Sequence, residues 1–124
     1  MTQQTFIITG ALFGMLAIIF GAFGAHALKK ILSEDQLKSF ETGIKYQMYH
    51  ALILVILGFN YQFSTTVMYW CFTLGIVLFS FSIYGLVISD AKGKKLRFLG
   101  PITPIGGLLF VVGWLLLILR ALNI

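Results

Sequence analysis

Six side chains have the chemistry to act together if the fold gathers them: His26, Tyr46, Gln47, His50, Asp90 and Thr103. Tyr46 and His50 stand four residues apart, and Gln47 and His50 three apart, so a helix carries all three on one face. His26 sits one turn before Lys29, and His50 lies one turn into the next apolar run, so the two imidazoles share a depth. An imidazole titrates near neutral pH and ligates metals. The plainer reading is that these groups sit at a polar boundary and hydrogen-bond between helices. Two histidines without nearby cysteines or paired carboxylates make a poor zinc site, so no metal or cofactor is predicted.

Positioning those groups falls to long apolar runs. Hydrophobic residues make up 59% of the 124 and charged residues 10%, where a soluble domain carries about 25% charge. Mean hydropathy is +0.96. So apolar a chain has too little polar surface for water, and lipid is its natural solvent. The runs predict an all-α, polytopic membrane protein with four transmembrane helices in one bundle, spanning about 6–28, 46–63, 65–89 and 104–122. At 1.5 Å per residue the first reaches roughly 34 Å, enough for a hydrocarbon core of ~30 Å. Between the first two, Ser33 and Gln36 form an S-x-x-Q capping box. Leu37, Phe40 and Ile44 follow at helical spacing, which predicts a short amphipathic interfacial helix over 34–45, either bent at Gly43 or running straight into the second span. Thr103-Pro104 reads as an N-cap followed by proline at the first helical position. Tyr61, Phe63, Tyr69 and Trp70 read as an aromatic belt, and the deeper Trp114 needs a partner for its N–H.

Charge decides the threading. Of nine Lys and Arg residues, Lys29, Lys30, Lys38, Lys45, Lys92, Lys94, Lys95 and Arg97 fall in two loops on one side; only Arg120 falls on the other. Loops 29–45 and 90–103 are therefore predicted to be cytoplasmic and both termini outside. The formal charge of +5 comes from these loops. It predicts contact with anionic lipid at the inner face and no nucleic-acid binding, because no soluble basic face exists. Ala25-His26-Ala27 superficially resembles a signal-peptidase site, but no Lys or Arg precedes the apolar run and two lysines follow. The first segment is expected to stay as a permanent span.

Small residues mark where helices meet. Gly10, Gly14, Ala17, Gly21 and Ala25 form one stripe on the first run, and Gly106, Gly107 and Gly113 lie on the fourth. Such ridges let backbones approach. They are expected to pack within the bundle, the alternative being a homo-oligomer or a membrane-protein partner. Cys71, alone in an apolar run, is expected to be a small buried hydrophobe and excludes an intrachain disulfide.

Several function classes lose support. No Asp or Glu falls within a predicted span, so a proton-coupled exporter lacks its carboxylate. No glycine-rich nucleotide loop and no serine-nucleophile motif is present.

Gly21-Ala22-Phe23-Gly24-Ala25-His26-Ala27, then Thr42-Gly43 with Tyr46-Gln47-Met48-Tyr49-His50-Ala51, then Thr103-Pro104-Ile105-Gly106-Gly107 with Phe110 and Gly113-Trp114, form three ordered motifs. Together they resemble domain-of-unknown-function family 423, which includes the eukaryotic transmembrane protein 256. The resemblance covers nearly the whole chain. It implies a small four-span protein of the bacterial plasma membrane and marks motif positions, but brings no established activity. Phe81 stands where the family's glycine is expected between Ser80 and Ser82, which weakens the case for close helix approach there. The leading functional expectation is a non-enzymatic helix bundle binding lipid or a partner. The alternatives are a passive or proton-linked conduit using the two histidines, and an enzyme acting on lipid headgroups.

Overall fold

The computed structural model describes residues 2–124, without the side chain of Ala25. The described residues form helices and short connections, with no strands. Three helices are long and apolar enough to cross a membrane by length and composition: Gln3–Leu28 (α1), Thr66–Ala91 (α3) and the last, Arg97–Ala121, whose regular α-helical part is Ile102–Ala121 (α4). Between the first two lies α2, Glu34–Phe59, equally long and more polar.

Local chemistry sets the helix starts. The Thr2 hydroxyl accepts from Thr5 N–H at 3.2 Å, and the Thr65 hydroxyl accepts from Met68 N–H at 3.2 Å. At α2 the capping box closes: Ser33 N–H donates to Gln36 Oε1 at 2.9 Å, and Gln36 N–H donates to Ser33 Oγ at 3.1 Å. Each bond satisfies a donor that the first helical turn leaves without an acceptor. From there α2 continues unbroken to Phe59. The amphipathic segment thus runs straight into the second apolar run, and the helix passes through Gly43 without interruption. Gly43 instead lets α3 come close. A Cβ there would stand 2.7 Å from Tyr84 Cε1, and the Gly43 carbonyl accepts from the Ser80 hydroxyl at 2.6 Å.

Two other boundaries differ from expectation. The second long helix ends at Phe59 rather than 63, and Tyr61–Phe63 form a short 3-10 turn. The last α-helix starts at Ile102 with Pro101 at its N-cap, so Thr103 and Pro104 lie inside the first turn. Proline is tolerated there because first-turn N–H groups have no helical acceptor.

α2 runs antiparallel along the whole of α1. Gly58 faces Ile7, Gly10 faces Ala51 and Val55, Gly21 faces Ile44, and Gly24 faces Phe40. The descending and ascending numbers pair end to end. A Cβ at Gly10 would stand 2.7 Å from the Ala51 carbonyl oxygen and 2.9 Å from Val55 N, so the backbones meet there. Gly14 sits looser on the same seam, with Ala51 Cβ at 3.9 Å, and Ala17 is buried. The side chain of Ala25, the last member of that stripe, lies outside the described residues. On the other side α4 packs on α3: Gly106 lies against the Phe79 backbone, and Gly113 against the Phe72 ring.

The core has two parts, one around Phe6, Leu54, Phe72 and Ile76, the other around Phe40, Tyr84 and Val87. Phe81, in the place of the expected glycine, packs edge-on to Phe13 at 6.0 Å and against Tyr84 at 5.8 Å, so an aromatic ring occupies the space. Tyr69, expected in the outer belt, is a core residue. Its hydroxyl bonds Thr9 at 2.7 Å and its ring meets Phe6 edge-on at 5.2 Å. Cys71 is buried, as its apolar run suggests. Ile105, Leu108, Val111, Leu115 and Ile118 make an exposed stripe along α4, and Ile8, Leu12, Met15 and Ile18 another along α1. Water would penalise both stripes at about 25 cal/mol per Å²; hydrocarbon does not.

Candidate functional site

His50 projects from α2 between α3 and α4. Its Nδ1 lies 2.6 Å from the Tyr46 carbonyl oxygen, and its Nε2 accepts from Trp114 Nε1–H at 3.1 Å. A carbonyl only accepts and an indole N–H only donates, so the partners assign the neutral tautomer with the proton on Nδ1. The ring stacks on Phe110 at 3.6 Å with 5° between planes. Trp114 thus finds the partner its depth requires. Tyr46 lies beside His50, stacked at 6.2 Å, and its ring reaches Phe79 at 4.9 Å. Between these rings runs a groove of about 550 Å³, lined by Tyr46, His50, Phe79, Gly107, Phe110, Val111 and Trp114 among others.

Gln47 points the other way, into the interior. It is fully buried, donates from Nε2 to the Phe13 carbonyl at 2.8 Å, and accepts the Tyr84 hydroxyl at Oε1, 2.6 Å away. This amide ties α1, α2 and α3 together. Thr103 bonds Ser82 at 2.5 Å. Ser82 lies 2.6 Å from the Leu78 carbonyl, to which it donates its one hydroxyl proton, so Thr103 is the donor in the pair. The fold therefore separates the six candidates. His50 and Tyr46 share the aromatic groove, Gln47 is a buried strut, and Thr103 pins α4 to α3. His26 is exposed and bonds no other described side chain.

Asp90 belongs to a second cavity, of about 520 Å³, where the lysine-rich loop meets the helix ends. Its walls follow helical spacing. Asp35, Ser39 and Thr42 lie at i, i+4 and i+7 on α2; Ile83, Leu86, Val87 and Asp90 form one face of α3; Thr103 and Pro104 open α4. Gln36 donates from Nε2 to Asp90 Oδ2 at 2.9 Å, so the residue that caps α2 also ties it to the end of α3. Lys95 is brought back by the turn that ends α3. Gly93 adopts φ +81, Gly93 N–H bonds the Asp90 carbonyl at 3.0 Å, and Lys94 N–H bonds the Ser89 carbonyl at 3.0 Å. That is a Schellman cap, and its left-handed residue suits glycine. The crevice has one polar rim and an apolar wall. Sequence reasoning singled out Asp90 and Thr103 but not Asp35, Ser39, Thr42 or Lys95. The 35-39-42 stripe was the available signal, obscured by charges on the rest of that helix. Among the described residues no three His, Cys, Asp or Glu side chains gather to hold a metal.

The family model "Protein of unknown function (DUF423)" matches residues 20–107, which include every lining residue of the crevice. A UPF0382 membrane protein of Staphylococcus haemolyticus is 46% identical over 120 residues, 94% of each chain. One from Staphylococcus epidermidis is 42% identical over 124 residues, 98% of each. The UPF0382 membrane protein YwdK of Bacillus subtilis is 38% identical over 126 residues, 98% of each. No solved structure matches.

Proposed function

This chain belongs to the DUF423 family, whose members here are membrane proteins of unknown function, and from that we propose that it is a non-enzymatic, lipid-binding helix bundle of the bacterial plasma membrane. The observation that carries the reading is the crevice at the loop end of the helices. Asp35, Gln36, Asp90 and Lys95 face the polar side, and Ile83, Leu86 and Val87 the apolar side. An amphiphile at a membrane boundary presents the same two chemistries in the same order. Enzymatic turnover gains no support. No hydroxyl in the crevice is hydrogen-bonded to a carboxylate or an imidazole: Thr42 donates to the Lys38 carbonyl and Thr103 bonds Ser82. Such a base is what would activate a nucleophile. A histidine conduit gains none either, since His50 is engaged at both ring nitrogens and His26 stands apart.

In this reading all four long helices cross the bilayer. α2 is the polar one, but its amide and imidazole are not offered to lipid: Gln47 is 0% and His50 4% exposed, and both are paired. A helix that lies antiparallel along the whole of α1 retraces whatever α1 crosses. The first turns of α2, through Lys38 and Lys45, lie at the inner interface, where long lysine side chains reach the headgroups. The lysine-rich loops face the cytoplasm and attract anionic lipid, and both termini face out.

The crevice is tested by filling it. The whole chain, delipidated in mild detergent, is titrated with phospholipid and read by native mass spectrometry. One phospholipid per chain is expected to survive transfer. Ser39→Phe with Thr42→Phe, both at exposed crevice positions, is expected to weaken retention at least about tenfold, or 1.4 kcal/mol. Equal retention by the filled variant would contradict the assignment.

A further inference from the structure

We propose that the polar crevice and the aromatic groove are two ends of one track, and that its occupant is a phospholipid whose headgroup carries both a primary ammonium and a phosphate. This rests on the lipid-binding reading and deepens it.

Continuity is the first argument. Thr42, Ile83 and Thr103 line the crevice; Tyr46, Phe79 and Gly107 line the groove. Each pair is four residues apart on its own helix, one turn further into the bundle on all three helices at once. α2 and α4 both pack on α3 and meet each other mainly through the rings of His50, Phe110 and Trp114. The track is the open seam between them, floored by α3. From Thr103 to Trp114 it runs roughly 16 Å, about half of the ~30 Å hydrocarbon core, which is the reach of one leaflet's acyl chain. Gly107 keeps the α4 wall back from the floor: a Cβ there would meet only the Phe79 ring, at 3.6 Å.

Charge is the second argument. The crevice holds two carboxylates, Asp35 and Asp90, and one ammonium, Lys95. Among the described residues Lys95 forms an ion pair with neither, and Asp90 has only the neutral Gln36 amide as a partner. Opposite charges held apart in one cavity complement a zwitterion: the carboxylates and the Ser39 and Thr42 hydroxyls accept N–H bonds, while Lys95 takes a phosphate oxygen. A purely anionic headgroup meets two carboxylates. A quaternary ammonium offers no N–H, and the rings that would bind its face lie a turn or more deeper.

The test is a native mass-spectrometry titration of the delipidated whole chain with phosphatidylethanolamine, phosphatidylglycerol and phosphatidylcholine of identical chains. Water-soluble glycerophosphoethanolamine serves as a competitor. Phosphatidylethanolamine is expected to bind at least about tenfold tighter than the other two. Asp35→Asn with Asp90→Asn is expected to level that order. Gly107→Leu is expected to weaken all three lipids while preserving it, and Val111→Trp on the exposed wall serves if that variant does not fold. Glycerophosphoethanolamine is expected not to compete. Equal binding of the three lipids, or preference for either of the others, overturns the headgroup assignment and leaves lipid binding standing. Unchanged affinity with the seam blocked, or effective competition by the soluble headgroup, overturns the single track. Retention of no phospholipid at all overturns this inference and the lipid-binding reading together.

Discussion

Gly106→Ala is expected to abolish the folded bundle, whereas Gly107→Ala, one residue on, is expected to leave it intact. A Cβ at Gly106 would stand 2.3 Å from the Phe79 backbone nitrogen, 2.7 Å from the Leu78 carbonyl carbon and 2.8 Å from Phe79 Cα. These are backbone atoms in the middle of α3 and have no rotamer by which to withdraw. Relief requires α4 to lift off α3, which also pulls Phe110 off Gly75 and Phe72 off Gly113. Overpacking costs typically 1–3 kcal/mol where side chains can yield; here the cost is expected at or above about 3 kcal/mol. At Gly107 the nearest atom is Phe79 Cδ1, at 3.6 Å, an ordinary contact. Thermal unfolding in detergent, followed by size-exclusion chromatography, checks the pair. A Gly106→Ala protein as stable as the parent would show that α4 does not seat on Phe79.

The second large effect is expected at Gln47. Replacing it by leucine removes two bonds at once and leaves the Tyr84 hydroxyl with the Ser80 hydroxyl as its remaining side-chain partner. A fully orphaned buried hydroxyl costs about 1–3 kcal/mol; Ser80 offsets part of that, while the link from α2 to the Phe13 carbonyl is lost outright. Removing both partners is expected to recover part of that loss: Gln47→Leu with Tyr84→Phe should be more stable than the sum of the two single changes implies. A double-mutant cycle on unfolding free energies measures the coupling. Strict additivity would mean that Gln47 and Tyr84 do not hold one another.

Much of the fold is legible in the sequence because α1, α3 and α4 are uniformly apolar runs closed by charge, and α1 and α3 open on threonine caps. Less legible is what each glycine is for. Gly43 reads as a bend when only its own helix is in view; its use is the passage of Tyr84, forty-one places away on another helix. Thr103-Pro104 fits equally well a helix that starts one or two positions earlier, since the whole first turn lacks helical acceptors. Tyr69 and Trp70 are neighbours with similar local surroundings in sequence. Only the fold, by placing Thr9 and Phe6 against Tyr69, sends one inward and leaves the other 44% exposed.

For the candidate site the same limit holds more strongly. That Trp114 needs an acceptor follows from its chemistry; that the acceptor is His50, sixty-four residues earlier, does not. Tyr46, Gln47 and His50 do share one side of a helix at the level of spacing. Even so, the Gln47 side chain turns toward α1 and α3, and the other two toward α4. Small angular differences on a helix choose different neighbours. The crevice is the least visible part, because its walls come from three helices and a loop that only the Gly93 turn returns to them.

The account stands on α2 crossing the membrane beside α1. Cysteine accessibility in intact cells measures that directly, with Cys71 first changed to serine and single cysteines placed at Lys30 and Ser64, the two ends flanking α2. An impermeant thiol reagent is expected to label Ser64→Cys from outside and Lys30→Cys only after the membrane is opened. Labelling of both positions from the same side would contradict it.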